Sequence, residues 1–208
     1  MIIAMSGFAR SGKDAAADHL VEKHGFVKLA FADILRDVLY ALNPVTTFNR
    51  DGTWTNDDYN FVMDQPTHHV FTVQQIIDEY GWDNYKESPF GDDIRRLLQR
   101  LGTEAGRDTL GKNVWIDATL RDLDPEKDYV ISDARFLNEF KAVEDLGGVV
   151  LRVNREGVGP ANDHPSEIEA LQYDFKFIIH NNSDLDSYLN KVDRMLEILQ
   201  GDYAGCRR

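Results

Sequence analysis

The chain has 208 residues, 42% of them hydrophobic and 11% aromatic, which fits one domain of ordinary size and rules out general disorder. Its 23 Lys and Arg stand against 36 Asp and Glu, a formal charge of −13 at pH 7, so the long-range field repels nucleic-acid polymers. A small phosphorylated ligand stays admissible, because a few converging cations and backbone N–H groups reverse the potential locally. The single Cys206 permits no internal disulfide, no run approaches 18 apolar residues, and Met1 to Met5 lacks the basic flank of a signal peptide. The expectation is a cytoplasmic protein without a membrane anchor.

In chain order, Ile2-Ile3-Ala4-Met5 is a continuous apolar run of the kind that forms a strand buried on both faces. GFARSGKD, Gly7 to Asp14, follows at once and leads into a helix carrying Ala15, Ala16 and Leu20. Strand, glycine-rich loop and helix in that order make a phosphate-binding loop. Its glycines let backbone N–H groups turn inward, the helix N-terminus adds partial positive charge, and Lys13 reaches the β- and γ-phosphates of a nucleoside triphosphate. Gly7, Ser11, Gly12, Lys13 and Asp14 are therefore candidate ATP-binding residues. Asp14 stands where Ser or Thr would coordinate magnesium; a carboxylate there can hold the ion directly or through water, or simply favour the helix dipole. Arg10 is either a second cation aimed at the phosphates or a solvated loop arginine.

Val27 to Phe31 alternates and predicts a strand nearer an edge. Ile34, Leu35, Val38, Leu39 and Leu42 mark one helical face, stopped at Asn43-Pro44. Residues 45–90, rich in Asn, Asp, Thr and aromatics, break the alternation and read as a partly helical insertion at the sheet's carboxyl edge. Within it, Thr72 and Gln75 form a capping box for a helix carrying Val73, Ile76, Ile77 and Tyr80 before Gly81. His68 and His69 point apart in an extended segment and have no partner at ligand spacing, which speaks against a metal pair. Ile94, Leu97, Leu98 and Leu101 form the next stripe, with Arg95, Arg96, Gln99 and Arg100 on the other faces. Trp54 and Trp82 read as packing residues; Trp115, close behind the basic helix, could also meet a ligand.

Tyr129-Val130-Ile131 predicts another buried strand. Asp133 follows it, placed either to orient magnesium at the sheet's carboxyl edge or to cap the helix beginning near Arg135. If the first reading holds, it shares a crevice with the glycine loop. A helix with Phe136, Leu137, Phe140, Val143 and Leu146 ends at Gly147-Gly148, and Val149-Val150-Leu151 is the next strand. Arg152, Arg155, His164 and Glu167 surround the loop GVGPANDHPSE, which is either a lid bringing an arginine to a phosphoryl group or a surface turn with Asp163 or Ser166 capping the next helix. Phe177-Ile178-Ile179 reads as a last strand buried on both faces. Ser183 is expected to cap a final helix bearing Leu185, Tyr188, Leu189, Val192, Met195, Leu196 and Leu199. The alternation predicts an α/β three-layer fold with a mostly parallel sheet covered by helices on both faces. A single domain spans 1–200, with a lid at 154–167 and a frayed tail at 201–208.

Seven segments in this order resemble the bacteriophage deoxynucleoside monophosphate kinases, a branch of the P-loop nucleotide kinases. They are GFARSGKD; FADILRD, Phe31 to Asp37; IRRLLQRLGTE, Ile94 to Glu104, with Trp115 beyond; YVISDARFLNE, Tyr129 to Glu139; VNREG, Val153 to Gly157; DHPSE, Asp163 to Glu167; and IIHNNSDLDSYL, Ile178 to Leu189. The resemblance covers most of the chain outside 45–90 and implies the P-loop nucleoside monophosphate kinase-like fold. It also implies ATP-dependent phosphorylation of deoxynucleoside 5′-monophosphates, with ATP as donor and Mg2+ as cofactor, in the host cytoplasm if the protein is viral. Small-molecule nucleotides are the expected partners, and a homodimer is compatible with it.

By motif position the resemblance implies that Arg36 is a ligand of the acceptor nucleotide's phosphate, with Arg10 near the same group and Asp33 in the same acceptor site. Arg96, Gln99, Thr103, Arg107, Trp115, His164 and Glu167 would line the acceptor site, Asn181 and Asn182 would lie beside the adenine of ATP, and Asp14 and Asp133 would serve the metal. Lys13, Arg10, Arg135 and Arg155 would neutralise the transferring phosphoryl group, with no general base, because the attacking phosphate oxygen is already anionic at pH 7. The alternatives are another small-molecule P-loop kinase acting on phosphomevalonate or dephospho-coenzyme A, and a nucleotide-binding switch that hydrolyses ATP without an acceptor.

Overall fold

The elements run β1 (Ile2–Ser6), α1 (Lys13–His24), β2 (Val27–Leu29), α2 (Phe31–Leu42), β3 (Val45–Phe48), β4 (His69–Thr72), α3 (Val73–Asn84), α4 (Gly91–Arg100), α5 (Val114–Leu120), β5 (Tyr129–Ile131), α6 (Leu137–Asp145), β6 (Val149–Asn154), β7 (Phe177–His180) and α7 (Leu185–Cys206). This computed structural model describes residues 1–48, 69–160 and 168–206. The chain divides into two units, residues 1–31 with 119–208, and residues 32–118. The second unit is thus wider than the 45–90 insertion read from composition.

In the first unit five strands form one parallel sheet in the order β2-β5-β1-β6-β7. The apolar runs of β1 and β5 take the interior, where Ile3, Ala4, Met5, Val130 and Ile131 are all buried; the alternating β2 lies at an edge, as its pattern predicts. The run in β7 misleads. It stands at the opposite edge, where Ile179 is buried against Tyr188, Val192, Leu196 and Leu199 of α7, while Ile178 on the other face is 41% exposed. Apolar continuity therefore marks β7 as a strand without marking it as central.

Small residues bring α1 close to the sheet, with Ala16, Ala17 and Leu20 in the same core as Ile3 and Met5. Gly147, at φ +74°, ends the α6 segment, and Gly148 lies so near β1 that a Cβ would come within 2.9 Å of the Ile2 carbonyl. The cap of α7 is one residue later than the sequence suggests. Asp184 accepts from the Ser187 N–H at 2.9 Å and from the Ser187 hydroxyl at 2.8 Å, which satisfies a first-turn donor. These bonds hold the Asp184 carboxyl below the usual carboxylate range. The helical backbone continues through Gly201 to Cys206.

In the second unit Leu39, Val73, Ile76, Ile77, Tyr85, Phe90 and Ile94 form a separate core. β3 and β4 pair antiparallel, Val45 opposite Thr72. The Thr72 capping box is present in full, with Gln75 N–H donating to Thr72 Oγ1 and Thr72 N–H to Gln75 Oε1. The α3 segment breaks at Gly81, where φ 73° and ψ 163° are not helical. After α4 the backbone widens into a π-helical turn over Leu101–Arg107, a feature with no signature in the apolar stripe. Trp115 supports it: the indole N–H donates to the Gly102 carbonyl at 2.9 Å, and the ring lies where a Cβ on Gly106 would meet it at 2.6 Å. No described helix is long and apolar enough to cross a membrane.

Candidate active site

Parallel pairing brings the carboxyl ends of the first unit's strands to one edge. β1 is the middle strand, so the Gly7–Asp14 loop leaves the sheet between the ends of β5 and β6, a position where ligands bind in open α/β sheets. Arg10 takes a left-handed conformation, φ 66°, which is uncommon outside glycine and tightens the loop. Gly12, at φ 100°, precedes the first residue of α1. Ser11 N–H donates to the Phe8 carbonyl at 3.1 Å. Ser11 Oγ is buried and has no hydrogen-bond partner among the described residues. An unspent donor inside a glycine-rich turn at a helix N-terminus fits a loop that relaxes around phosphate oxygens. Lys13 is only 6% exposed, and its Nζ lies 3.1 Å from the exposed Asp14 carboxylate.

Two distant side chains hold this loop by its backbone. Asn181 Nδ2 donates to the Ser11 carbonyl at 2.8 Å, and the Tyr188 hydroxyl donates to the Gly12 carbonyl at 2.9 Å. Asn181, read from the resemblance as a neighbour of adenine, is buried and spends its amide on the loop. Burial, aided by the Asp14 charge, raises the Tyr188 pKa well above its ordinary value and keeps the hydroxyl a donor. Tyr188 is a functional residue the sequence did not disclose, because it counted only as one apolar position of the last helix. Tyr188→Phe is expected to lower stability by about 1 kcal/mol, read as a shift in urea midpoint. The cost is not larger because the Gly12 carbonyl still accepts from Ala16 N–H at 3.1 Å. An unchanged midpoint would show that the phenol contributes nothing to holding the loop.

Other candidates line the same edge. Asp133 Oδ1 accepts from the Phe31 N–H, at the start of α2, at 2.8 Å. At the helix near Arg135, Glu139 accepts from the N–H groups of Arg135 and Phe136 at 2.7 and 3.0 Å. Arg155, just beyond β6, is exposed, and its Nη1 lies 3.5 Å from the Arg10 carbonyl. Asn182 Oδ1 accepts from the Glu156 N–H at 2.9 Å, tying the start of the 154–167 segment to the turn after β7. Arg152 is not a lid arginine. It is 7% exposed within β6, donates to Asn154 Oδ1 at 2.8 Å, and has Phe8 and Phe175 rings each 5.0 Å from its guanidinium. It thereby anchors the second residue of the loop. His164 and Glu167 lie outside the described residues.

The second unit holds the remaining candidates. Arg36 pairs with Asp33 at 3.1 Å along α2. Arg96 is held by the buried Asp93 through Nε, at 3.1 Å, and through a closer Nη2 contact. Gln99 and Thr103 are exposed on α4 and the π-helical turn, and Arg107 closes that turn. Trp115 is 7% exposed with its N–H engaged, so it braces this region rather than offering a ring face. Arg95, not singled out as a site residue by sequence, joins Arg36 in acting on Tyr85: burial raises the Tyr85 pKa, and the two guanidinium charges oppose the rise.

A glycine-rich turn at the carboxyl end of a central parallel strand, with a lysine opening the next helix, defines a P-loop nucleotide-binding protein. The family model for deoxynucleotide monophosphate kinase matches residues 45–192, and the chain belongs to that family. It is a nucleotide kinase. It is 23% identical to the deoxynucleotide monophosphate kinase of Enterobacteria phage T4, over 95% of this chain and 99% of the other. It is 28% identical to a protein of Acanthamoeba polyphaga mimivirus provisionally assigned the same activity, over 92% and 94%. Among solved structures, a dephospho-CoA kinase from Campylobacter jejuni aligns over 97% of this chain and 98% of its own at 13% identity, with a TM-score of 0.44.

Proposed function

We propose that the chain phosphorylates deoxynucleoside 5′-monophosphates to diphosphates, with ATP as the donor. The observation that carries this reading is the Gly7–Asp14 loop: a buried Lys13, an unsatisfied Ser11 hydroxyl and glycines with no room for a side chain, in a chain of this family. Lys13 holds the donor's β- and γ-phosphates, while Gly7 and Gly12 supply backbone N–H groups and Ser11 its unspent hydroxyl. Asn181 and Tyr188 keep those groups oriented, and Asn182 serves the adenine side. Arg10, Arg135 and Arg155 offset charge spreading over the transferring group. In the second unit Arg36 serves the acceptor phosphate, held by its ion pair with Asp33. Arg96, Gln99, Thr103 and Arg107 line the acceptor nucleoside, and Trp115 braces the turn after α4; by motif position alone His164 and Glu167 also serve the acceptor.

The acceptor's phosphate oxygen is anionic at pH 7, so positioning and electrostatics supply the acceleration and no side chain need remove a proton. Asp14 and Asp133 are the carboxylates that would hold magnesium, which when bound offsets phosphate charge.

The test is ADP release measured with the four common deoxynucleoside monophosphates, their ribonucleotide counterparts, phosphomevalonate and dephospho-coenzyme A. Turnover is expected with at least one deoxynucleotide and to be slight without an acceptor. Phosphate release at the same rate with no acceptor present would overturn the proposal in favour of a hydrolytic switch, and turnover confined to either of the last two acceptors would replace the substrate.

A further inference from the structure

Away from the phosphate loop, one cluster in the first unit is built from metal-binding groups that the kinase reaction does not use. His19 Nε2 lies 2.8 Å from Asp193 Oδ1, and His24 Nε2 lies 2.7 Å from the same oxygen. The three ligand atoms all fall within 4.8 Å of one another. The two imidazoles project from α1 and meet edge to face, ring centres 5.9 Å apart; the carboxylate comes from α7. Lys23 Nζ takes the other oxygen, Asp193 Oδ2, at 2.7 Å, which fixes the carboxylate and leaves Oδ1 to the histidines.

We infer that His19, His24 and Asp193 form a site for a borderline divalent cation such as Zn2+, which would fasten the C-terminal end of α1 to α7. Two imidazoles and one carboxylate suit Zn2+ and its transition-metal neighbours, whereas Mg2+ prefers all-oxygen octahedral shells. A tetrahedral ion with bonds of about 2.0–2.1 Å holds its ligand atoms roughly 3.3 Å apart. The present separations to Oδ1 need to open by only roughly half an ångström. Both histidines bind as neutral imidazoles, the Nε2 proton being absent and Nδ1 protonated. Side-chain exposures of 15%, 28% and 16% for His19, His24 and Asp193 leave an entry path and room for a water as fourth ligand. Lys13 opens α1 and His24 closes it, so the site lies roughly 16 Å along the helix from the kinase lysine.

The experiment uses the full chain, stripped of metal and titrated with Zn2+ by calorimetry, with Co2+ as a spectroscopic probe of ligand geometry. The wild type is expected to bind one equivalent more than His24→Ala, or to bind at least about tenfold tighter at that equivalent. The tetrahedral Co2+ absorption and the Zn2+-dependent rise in melting temperature should be lost in the variant. His24→Gln, which keeps more of the packing, should behave in the same way if His24→Ala folds poorly. Lys23→Ala disturbs the cluster but retains every ligand, and should still bind. Equal stoichiometry and affinity in wild type and both His24 variants would overturn the site. So would loss of binding in Lys23→Ala as complete as in His24→Ala, because the effect would then come from helix contact and not from ligation.

Discussion

Lys13→Ala should lower kcat/KM by roughly 30-fold or more, a loss of about 2 kcal/mol or more of transition-state stabilisation. The ammonium group sits at the first position of α1, buried with the loop that carries it. Its partner, Asp14, is 64% exposed on the side chain. A pair with one solvated member contributes little to stability, so the lysine exchanges that carboxylate for phosphate oxygens at small cost. In a site from which phosphates exclude water, the same charge is worth far more. The variant should therefore melt close to the wild type while losing turnover, and a melting curve beside the ADP-release assay separates the two effects. Wild-type rates would remove Lys13 from the mechanism. Lys13→Arg should not restore full activity, since a planar fork does not reproduce a compact ammonium at the same place.

The parts of this molecule legible in the sequence are those written in local spacing. Four residues decide the capping box at Thr72, and the box is there because Thr and Gln at that spacing satisfy each other's backbone whatever surrounds them. The loop at Gly7 is legible for the same reason, as are the buried runs of β1 and β5. Local pattern fails where two adjacent residues can do one job: Ser183 and Asp184 are both good caps, and the Ser187 contacts choose Asp184. It also fails for tertiary partners. Asn181 and Tyr188 reach the loop from 170 and 176 residues away, and His19 meets Asp193 across 174; no period or motif encodes such meetings. Asp133 shows a third limit. Its place after a strand suggested a local cap or a metal ligand, and its contact with the Phe31 N–H shows that a carboxylate at a sheet edge can serve a helix distant in sequence.

Gly12→Ala should destabilise the protein by roughly 2–5 kcal/mol, from two sources that can be told apart. One is backbone: φ of 100° lies where L residues are strained, at about 1–2 kcal/mol. The other is space. A Cβ on Gly12 would stand 2.3 Å from Asn181 Nδ2, so the amide must move and the hydrogen bond to the Ser11 carbonyl is lost, at about 1–3 kcal/mol for a buried acceptor left unpaired. Asn181→Ala alone removes that bond and opens the space. If crowding is a real part of the cost, the double variant is less destabilised than the sum of the two single variants, because the bond can be lost only once and the methyl then has room. Strict additivity in urea denaturation would assign the whole penalty to backbone strain, and Asn181 would no longer count as the group that requires glycine at this turn.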